Sequence, residues 1–317
     1  MSASGTWRCE DWRDAEPAAL AHLYRSECRR WQESIGWDFE PSCAIIEAAR
    51  RAGTLPGLLV RGRNGRIAGW SFFVFHDDRL QIGGLAADGD SSRRALLRAA
   101  LASPDAARAV EVSCYLYPQS PALRRVLEQE QFAVEPHHYM TADLAAPAGA
   151  EAASWPAGCT LRPFADGDAG DVVDLVGRAY GGSHEARCYA PDLRREQWAH
   201  YVGGLMQTGA CGRYLPTASF ALRNGEGQPV AAILMTHIGE RTAHLAQVVV
   251  DPRWRGRALA SRLILESDRV LAGSGYRRVT LLVADGNQGA RRLYRALGFR
   301  DAQTFVHAVR PGARVSC

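Results

Sequence analysis

The chain repeats one pattern at a constant spacing, and this repeat limits the folds that it can adopt. Residue numbers 256 and 89, both glycines before an apolar helical pattern, differ by 167. At the same spacing the apolar strand pattern Val279–Val283 falls on Val112–Leu116 without a gap. Because self-similarity at a fixed period indicates a repeated structural unit, the 317 residues are predicted to form two domains built on one plan.

Within each half, apolar alternation and helical periodicity predict an α+β fold. The fold class is therefore two tandem α+β domains, each a mixed, mostly antiparallel sheet with helices on both faces. The Pro- and Gly-containing stretch 145–158 lacks periodicity and is predicted to link a domain of residues 1–144 to one of residues 159–317. The predicted elements of the second half are Cys159–Phe164, Asp166–Tyr180, Asp192–Met206, Ser219–Arg223, Val230–Ile238, Thr242–Val250, Gly256–Leu271, Val279–Val283 and Gly289–Leu297.

Composition excludes several classes of protein. The net charge is +4, from 38 basic residues that are all arginine and 34 acidic ones, which is too balanced to predict a nucleic acid as partner. No apolar run reaches the roughly 18 residues of a membrane span, and Met1–Trp12 has no apolar signal region, so we expect a cytoplasmic protein without a membrane partner. The eight cysteines lack zinc-like spacing, so they are expected to be free thiols and no metal is predicted.

One segment has the pattern of an anion-binding site. The predicted strand ending in Val248, Val249 and Val250 is followed by the basic, glycine-containing loop 251–258 and then by a helix. The first amides of a helix have no partner within it, and the helix dipole adds positive potential at that end. Gly256 would let an anion approach the main chain, and arginines 253, 255 and 257 add charge. The loop is therefore predicted to bind a diphosphate.

A second motif follows the next buried strand. It reads Asn287, two residues, Ala290, three residues, Tyr294, three residues, and then Gly298-Phe299. Together with Arg-x-x-Gly-x-Ala at 253–258, it resembles the signature of the GCN5-related N-acetyltransferase (GNAT) superfamily, over about residues 160–310. The repeated plan resembles the tandem two-domain members of that superfamily, the mycothiol-synthase type.

The resemblance implies that acetyl-CoA is the cosubstrate and lies between the splayed fourth and fifth strands. It implies that main-chain groups of the fourth strand pair with the pantetheine arm, that the loop amides hold the diphosphate, and that Asn287 and the helix after it flank the coenzyme. The cofactor-binding residues implied in this way are Val248, Val249, Val250, Arg255, Gly256, Arg257, Ala258, Leu259, Ala260, Asn287, Ala290 and Arg292.

Catalysis in this family implies a proton donor and a proton acceptor. Tyr294 is predicted to protonate the leaving thiolate, which a phenol can do. The acceptor stays open: the fourth strand carries no acid, so His244 or a water held by Gln247 could take the amine proton. The loop after the first helix of this domain holds the expected substrate residues, Tyr180, His184 and Glu185.

The first half differs from the second at the corresponding positions. At the 167-residue spacing, Arg255 and Arg257 fall on Asp88 and Asp90, and Tyr294 falls on Leu127. Two like charges about 5 Å apart repel by about 3 kcal/mol at an effective dielectric near 20. Residues 1–144 are therefore predicted to be a degenerate, non-catalytic copy.

The sequence predicts an N-acetyltransferase that moves acetyl from acetyl-CoA directly to the amine of a small molecule, in the C-terminal domain. No cysteine lies in either motif, which argues against an acyl-enzyme. Two alternatives stay open: a non-catalytic acyl-CoA sensor, and an acetyltransferase of a protein or peptide amine. The chain is expected to be a monomer or a homodimer.

Overall fold

The computed structural model describes residues 7–118, 121–144, 154–164, 166–183, 185–207 and 211–313. The chain forms two compact units: unit 1 comprises Met1–His138 and Gln303–Cys317, and unit 2 comprises Tyr139–Ala302. Among the described residues, no helix is both long enough and apolar enough to cross a membrane.

Unit 1 is an antiparallel sheet with one parallel pair. Its strands follow the order β1-β2-β3-β4-β5-β13, and only β4 and β5 run parallel. The elements that begin in unit 1 are β1 (Arg8–Asp11), α1 (Pro17–Ile35), α2 (Glu40–Arg51), β2 (Gly57–Arg61), β3 (Ile67–His76), β4 (Arg79–Ala87), α3 (Asp90–Leu101), α4 (Pro104–Arg108), β5 (Glu111–Pro118), α5 (Pro121–Gln129) and β6 (Ala133–Asp143).

Unit 2 repeats this arrangement. Its strands follow the order β12-β11-β10-β9-β7, with the short β8 on β10, and only β11 and β12 run parallel. The elements that begin in unit 2 are β7 (Thr160–Pro163), α6 (Ala169–Tyr180), α7 (Ala186–Tyr189), α8 (Arg195–Met206), β8 (Arg213–Tyr214), β9 (Phe220–Arg223), β10 (Pro229–Gly239), β11 (Thr242–Val250), α9 (Leu259–Gly273), β12 (Arg278–Ala284), α10 (Gln288–Ala296) and β13 (Arg300–Pro311).

The central strands of unit 2 are buried on both faces, as the predicted α+β class requires. Nearly every residue of β10 is buried, and β11 places Leu245 in the core beneath α9 but Val249 in the core beneath α6 and α8. Strands covered by helices on both sides read as continuous apolar runs, which explains the sequence pattern. The predicted fold class is confirmed.

The unit boundaries differ from the predicted domain boundaries at the C-terminus. The predicted second domain, residues 159–317, includes the last strand, but Phe305–Pro311 of β13 pair with β5 and belong to unit 1. Val306 and Ala308 of this strand are fully buried in the core of unit 1. A strand's partner is chosen by long-range pairing, which the local pattern does not reveal. Of the predicted linker 145–158, only residues 154–158 lie within the described part of the chain.

The two units match, but not at one spacing. Strand β12 and helix α10 follow β5 and α5 by 167 residues, whereas β11 follows β4 by 163 residues from its first residue to its last. A register shift interrupts both strands at the same point, at Gly83 in β4 and at Ala246 in β11. The expectation that the halves align without a gap is therefore wrong. The connection from strand to helix has two residues in unit 1, Asp88 and Gly89, and eight in unit 2.

A buried carboxyl group in α9 gives a prediction about pH and stability. The Oδ1 atom of Asp268 has no hydrogen-bond partner among the described residues, and burial raises the pKa of this group to about 7. A raised pKa means that the folded state favours the protonated form. Folding is then increasingly penalised as the pH rises from the unfolded pKa near 4 towards 7.

We expect Asp268→Asn to unfold at a higher urea concentration than the parent at pH 8, with a gain of about 2 kcal/mol, and to lose that advantage near pH 4. Urea melts at both pH values measure this. Asp174→Asn, which removes one partner of an exposed ion pair with Arg195, serves as the control and should change little. An equal effect of Asp268→Asn at both pH values would contradict the prediction.

Candidate functional site

The parallel strands β11 and β12 of unit 2 separate part-way along their length. They pair only from Thr242 with Arg278 to Leu245 with Leu281, and the bulge at Ala246 follows directly. Beyond that point β11 stays paired to β10, so the backbone groups of Val248 to Val250 that point away from β10 have no strand beside them in the described part of the chain. The strands thus open into a cleft whose edge can pair with an extended ligand.

The loop at the mouth of this cleft has a fixed backbone. Gly256 has φ +77° and Ala258 has φ +55°, so both are left-handed, and Ala258 stands at the N-cap position of α9. A Cβ at residue 256 would meet no atom within 4 Å. Within the described chain, the amides from Gly256 to Ala260 have no acceptor. Successive free amides in a left-handed turn at a helix start form an anion-binding concavity.

A buried aspartate holds the loop in place. Asp251 is 1% exposed, and its carboxylate accepts hydrogen bonds from the backbone N–H of Arg253 at 3.0 Å, from its Nε at 3.1 Å and from Arg178 Nε at 3.1 Å. The Arg253 guanidinium holds the pKa of this carboxyl group well below its usual range. Arg253 is thus committed to the loop's own anchor, which leaves the other two loop arginines as net positive charge.

Those other two arginines lie on either side of Gly256. Arg255 is exposed and donates from Nη2 to the carbonyl oxygen of Ala179 at the end of α6, at 2.7 Å. Arg257 is exposed and stacks on Trp254, with its guanidinium carbon 4.6 Å from the ring centroid. Leu259 is buried and anchors the first turn of α9, while Ala260 is half-buried.

Helix α10 forms the other predicted side of the site. Asn287 caps this helix, and its Oδ1 accepts from the backbone N–H of Ala290 at 3.1 Å, so its side-chain NH2 group is the part available to a ligand. Ala290 is half-buried and Arg292 is exposed. Arg291 instead forms a nearly buried ion pair with Asp285 at 2.6 Å.

Tyr294 is a buried tyrosine on α10, 7% exposed. No described residue hydrogen-bonds to its hydroxyl group, and its ring packs 5.8 Å from that of Phe299. Burial raises the pKa of Tyr294 above its usual value, and the neighbouring Tyr180 raises it further. The phenol therefore keeps its proton at any physiological pH, and it lies within electrostatic reach of Tyr180.

A chain of hydrogen bonds crosses the other face of β11. The hydroxyl group of Tyr201 donates to Oε1 of Gln247 at 2.7 Å, and Nε2 of Gln247 donates to the hydroxyl oxygen of Tyr180 at 3.0 Å. Because Tyr180 accepts this bond, its own proton is free to point onward. Tyr189 packs on Tyr201 at 4.5 Å between ring centroids, and Trp198 packs on Tyr180 at 5.8 Å.

The aromatic residues of α7 and α8 in this cluster were not predicted as site residues. Trp198 and Tyr201 are three positions apart and therefore share one face of α8, a spacing that could have indicated them. Tyr180 and Glu185 do lie near each other: burial raises the pKa of Tyr180, and the charge of Glu185 adds to that rise. His184 lies outside the described residues.

His244 lies in the paired part of β11, before the bulge. It is 5% exposed, its Nδ1 is 2.9 Å from the hydroxyl oxygen of Thr280, and its ring stacks on Tyr139 at 6.1 Å. Burial lowers the pKa of His244 to about 4, so the ring is neutral at pH 7. A neutral ring with this pKa is a weak base, and its role as proton acceptor stays a prediction.

The equivalent region of unit 1 lacks both the loop and the polar chain. The two-residue connection leads straight into α3, where Asp90 stands in the first turn. Gly84 of β4 holds the register position of Gln247, and the ring of Phe72 lies against it. Phe72 stacks with Trp12 and Trp70, at 6.1 and 6.0 Å. An apolar aromatic stack therefore occupies the face that carries hydrogen bonds in unit 2.

Comparison with known proteins agrees with this geometry. Residues 177–299 match the profile of the acetyltransferase (GNAT) family. An uncharacterized N-acetyltransferase of Methanocaldococcus jannaschii is 27% identical over 151 residues, 45% of this chain and 62% of that protein. An N-alpha-acetyltransferase of Arabidopsis thaliana is 38% identical over 64 residues, 20% of this chain and 34% of that protein. The chain thus spans less than two thirds of either relative.

Two solved structures share the fold over most of the chain. A GCN5-related N-acetyltransferase from Sphaerobacter thermophilus superposes with a TM-score of 0.65 at 21% identity, covering 96% of this chain and 95% of that one. A tandem GNAT protein from the clavulanic acid biosynthesis pathway superposes with a TM-score of 0.61 at 19% identity, covering 83% and 84%. By the profile match and these folds, residues 177–299 of the chain belong to the GNAT family of acyltransferases.

Proposed function

We propose that unit 2 transfers an acetyl group from acetyl-CoA to the amine of a small molecule by direct attack. The observation that carries this proposal is the cleft between β11 and β12, which opens next to a loop whose amides, from Gly256 to Ala260, have no acceptor among the described residues. Such a pairing of a free strand edge with an anion-binding turn suits a ligand that is extended at one end and doubly charged at the other.

The residues present fit acetyl-CoA. The amides from Gly256 to Ala260 would hold the diphosphate, with Arg255 and Arg257 supplying charge on either side. Backbone groups of Val248 to Val250 would pair with the amides of the pantetheine arm, and the side-chain NH2 group of Asn287 would donate to it. Ala290 has a small side chain that leaves space beside α10, and the exposed Arg292 would lie towards the phosphates.

The chemistry needs one proton donor. The amine nitrogen attacks the thioester carbonyl carbon, a C–N bond forms, and the C–S bond breaks with the electron pair leaving on sulfur. Tyr294 would give its proton to that thiolate. Its raised pKa keeps it protonated until a base as strong as a thiolate appears in the same low-dielectric site, where the thiolate is itself destabilised.

The hydrogen-bond chain through Gln247 would orient the second phenol. Tyr201 donates to Gln247, and Gln247 donates to Tyr180, so every bond in the chain points towards the Tyr180 hydroxyl group. Tyr180 can then donate to the developing oxyanion or to Tyr294, and the aligned dipoles support that donation. We assign Gln247 as a positioning residue, since it acts through Tyr180.

Glu185 would bind the acceptor. It is half-buried beside Tyr180, and its charge suits an ammonium group that must lose a proton before attack. The proton would pass through water, with Glu185 as the first carrier and His244 as the second candidate acceptor. The likeness to an N-alpha-acetyltransferase over 64 residues supports a peptide amine as the alternative acceptor, and a non-catalytic acyl-CoA sensor is the alternative to an enzyme.

A charge placed at Gly256 tests the diphosphate site. Asp and Asn are nearly isosteric and both tolerate the left-handed region, so Gly256→Asp and Gly256→Asn differ only in charge. We expect Gly256→Asp to weaken acetyl-CoA binding about 100-fold relative to Gly256→Asn, since like charges about 5 Å apart cost about 3 kcal/mol. Isothermal titration calorimetry measures both affinities.

The matched control is Gly89→Asp in unit 1. Gly89 has extended backbone, so the substitution causes no strain there, and acetyl-CoA affinity should not change. Equal affinities for Gly256→Asp and Gly256→Asn, or a loss of binding in Gly89→Asp, would contradict the assignment of the site to unit 2.

Removal of one hydroxyl group tests the proton donor. Tyr294→Phe keeps the packing against Phe299, so acetyl-CoA should bind with unchanged affinity while kcat falls about 100-fold. CoA release with a panel of amines gives kcat, and calorimetry gives the affinity. Tight acetyl-CoA binding by the parent protein with no turnover on any amine would favour the sensor instead.

The charge of Glu185 separates classes of acceptor. Glu185→Gln should raise KM about tenfold for an alkylamine, which is cationic at pH 7, a change of about 1.4 kcal/mol. An arylamine is uncharged at that pH, so its KM should stay the same. A parallel rise for both acceptors would show that the residue shapes the site and does not bind an ammonium group.

A further inference from the structure

The first two helices of unit 1 form an antiparallel hairpin that is held at both ends. At the turn, Trp31 stacks on Phe39 with 4.6 Å between ring centroids. At the open end, the hydroxyl group of Tyr24 donates to Glu47 at 2.9 Å. These two contacts fix the register of α1 against α2.

Two cysteines face each other between those contacts. Cys28 on α1 and Cys43 on α2 stand one turn from the pairs above, and their Sγ atoms are 3.4 Å apart. Both are free thiols in the structure, Cys28 half-buried and Cys43 buried. A disulfide needs its sulfur atoms about 2 Å apart, so an approach of about 1.4 Å would join them, a movement that side-chain rotation can supply.

A cavity leads to this pair. It has a volume of about 450 Å³ and is lined by both cysteines together with Arg25, Arg29, Asp38 and Glu40, among others. A small oxidant can therefore reach the more exposed thiol without unfolding of the hairpin. The charged lining of both signs suits a zwitterionic molecule.

We propose that Cys28 and Cys43 form a reversible, redox-active dithiol site that takes a small disulfide such as oxidised glutathione as its oxidant. Cys28 is the entry thiol because it is the more exposed, and Cys43 is the resolving thiol. The site is independent of the acetyltransferase chemistry proposed for unit 2.

The exchange balances in two steps. The thiolate of Cys28 attacks one sulfur of oxidised glutathione, the S–S bond breaks, and one glutathione leaves with its electron pair and takes up a proton. Cys43 then loses its proton and attacks Sγ of Cys28, which releases the second glutathione. Two protein thiols lose two electrons and two protons, and one oxidised glutathione becomes two reduced molecules.

The surroundings predict how the rate depends on pH. Burial raises the pKa of the Cys28 thiol above its usual value, and its other neighbours include the carboxylates of Glu40, Asp38 and Glu27. Burial raises the pKa of Cys43 further. Since the thiolate is the attacking form, the oxidation rate should rise about tenfold from pH 7 to pH 8.

The test uses the full chain under native conditions. The protein is incubated with oxidised glutathione at pH 8, quenched by alkylation, and digested with trypsin. We expect two of the eight thiols to disappear and a disulfide to link the peptides Ser26–Arg29 and Trp31–Arg50. The oxidised protein should also unfold at a higher temperature, because the bond closes a loop of about 15 residues in the unfolded chain.

Single variants test the order of the steps. Cys43→Ser should stop at a mixed disulfide between Cys28 and glutathione, and Cys28→Ser should leave Cys43 reduced and abolish the thermal shift. Cys159→Ser, a half-buried cysteine of unit 2, is the control and should oxidise like the parent. Eight remaining thiols after incubation, or a disulfide that involves any other cysteine, would overturn the proposal.

Discussion

The site in unit 2 depends on how short the parallel pairing of β11 and β12 is. Four residue pairs hold the strands together, and the bulge at Ala246 then turns β11 away. A parallel strand in the middle of a sheet normally has its backbone groups satisfied on both edges, so the separation leaves one edge of Val248 to Val250 in need of partners. An extended ligand with amides of its own can supply them. The cleft is therefore an outcome of incomplete pairing, and it exists only because α9 and α10 support the two strands after they part.

The loop after β11 completes this constraint. A chain that leaves a strand and starts a helix can do so in two residues, as unit 1 shows with Asp88 and Gly89. Unit 2 uses eight, and it stabilises them with the buried carboxylate of Asp251 and with two left-handed residues. A buried charge is costly unless it is paired, and here Arg253 and Arg178 pair with it. The protein thus maintains a costly local structure that unit 1 does without, which is the usual mark of a functional element.

The two units also show how one fold changes its chemistry. In unit 2, β11 presents Gln247 to Tyr180 and Tyr201, and the amide orders both hydroxyl groups. In unit 1 the same register position is Gly84, and the space is filled by Phe72 within an aromatic stack. The first arrangement is polar, satisfied and directional; the second contributes packing only. Unit 1 retains polar chemistry elsewhere, in the thiol pair of its helical hairpin.

Much of this could be predicted from the sequence. Periodicity gave the order of strands and helices in unit 2, and the spacing from Asn287 to Phe299 identified the family before any coordinates. The repeat was detectable, but its constant spacing hid a deletion. Unit 1 has six residues fewer before its helix and a longer connection after it, which contains α4, so the two changes partly offset each other. Sequence spacing records only the sum of such changes, whereas the strand register locates each one.

Local pattern by itself determined the secondary structure, the two motifs and the class of chemistry, because helical and strand periodicities and a helix N-terminus are properties of neighbouring residues. The tertiary structure decided which tyrosines meet Gln247, that Arg253 is used by Asp251, that the last strand belongs to unit 1, and that Cys28 meets Cys43. Each of these depends on residues brought together by folding from distant positions or from separate elements. Such contacts are fixed by packing and strand register, which no local stretch of sequence contains.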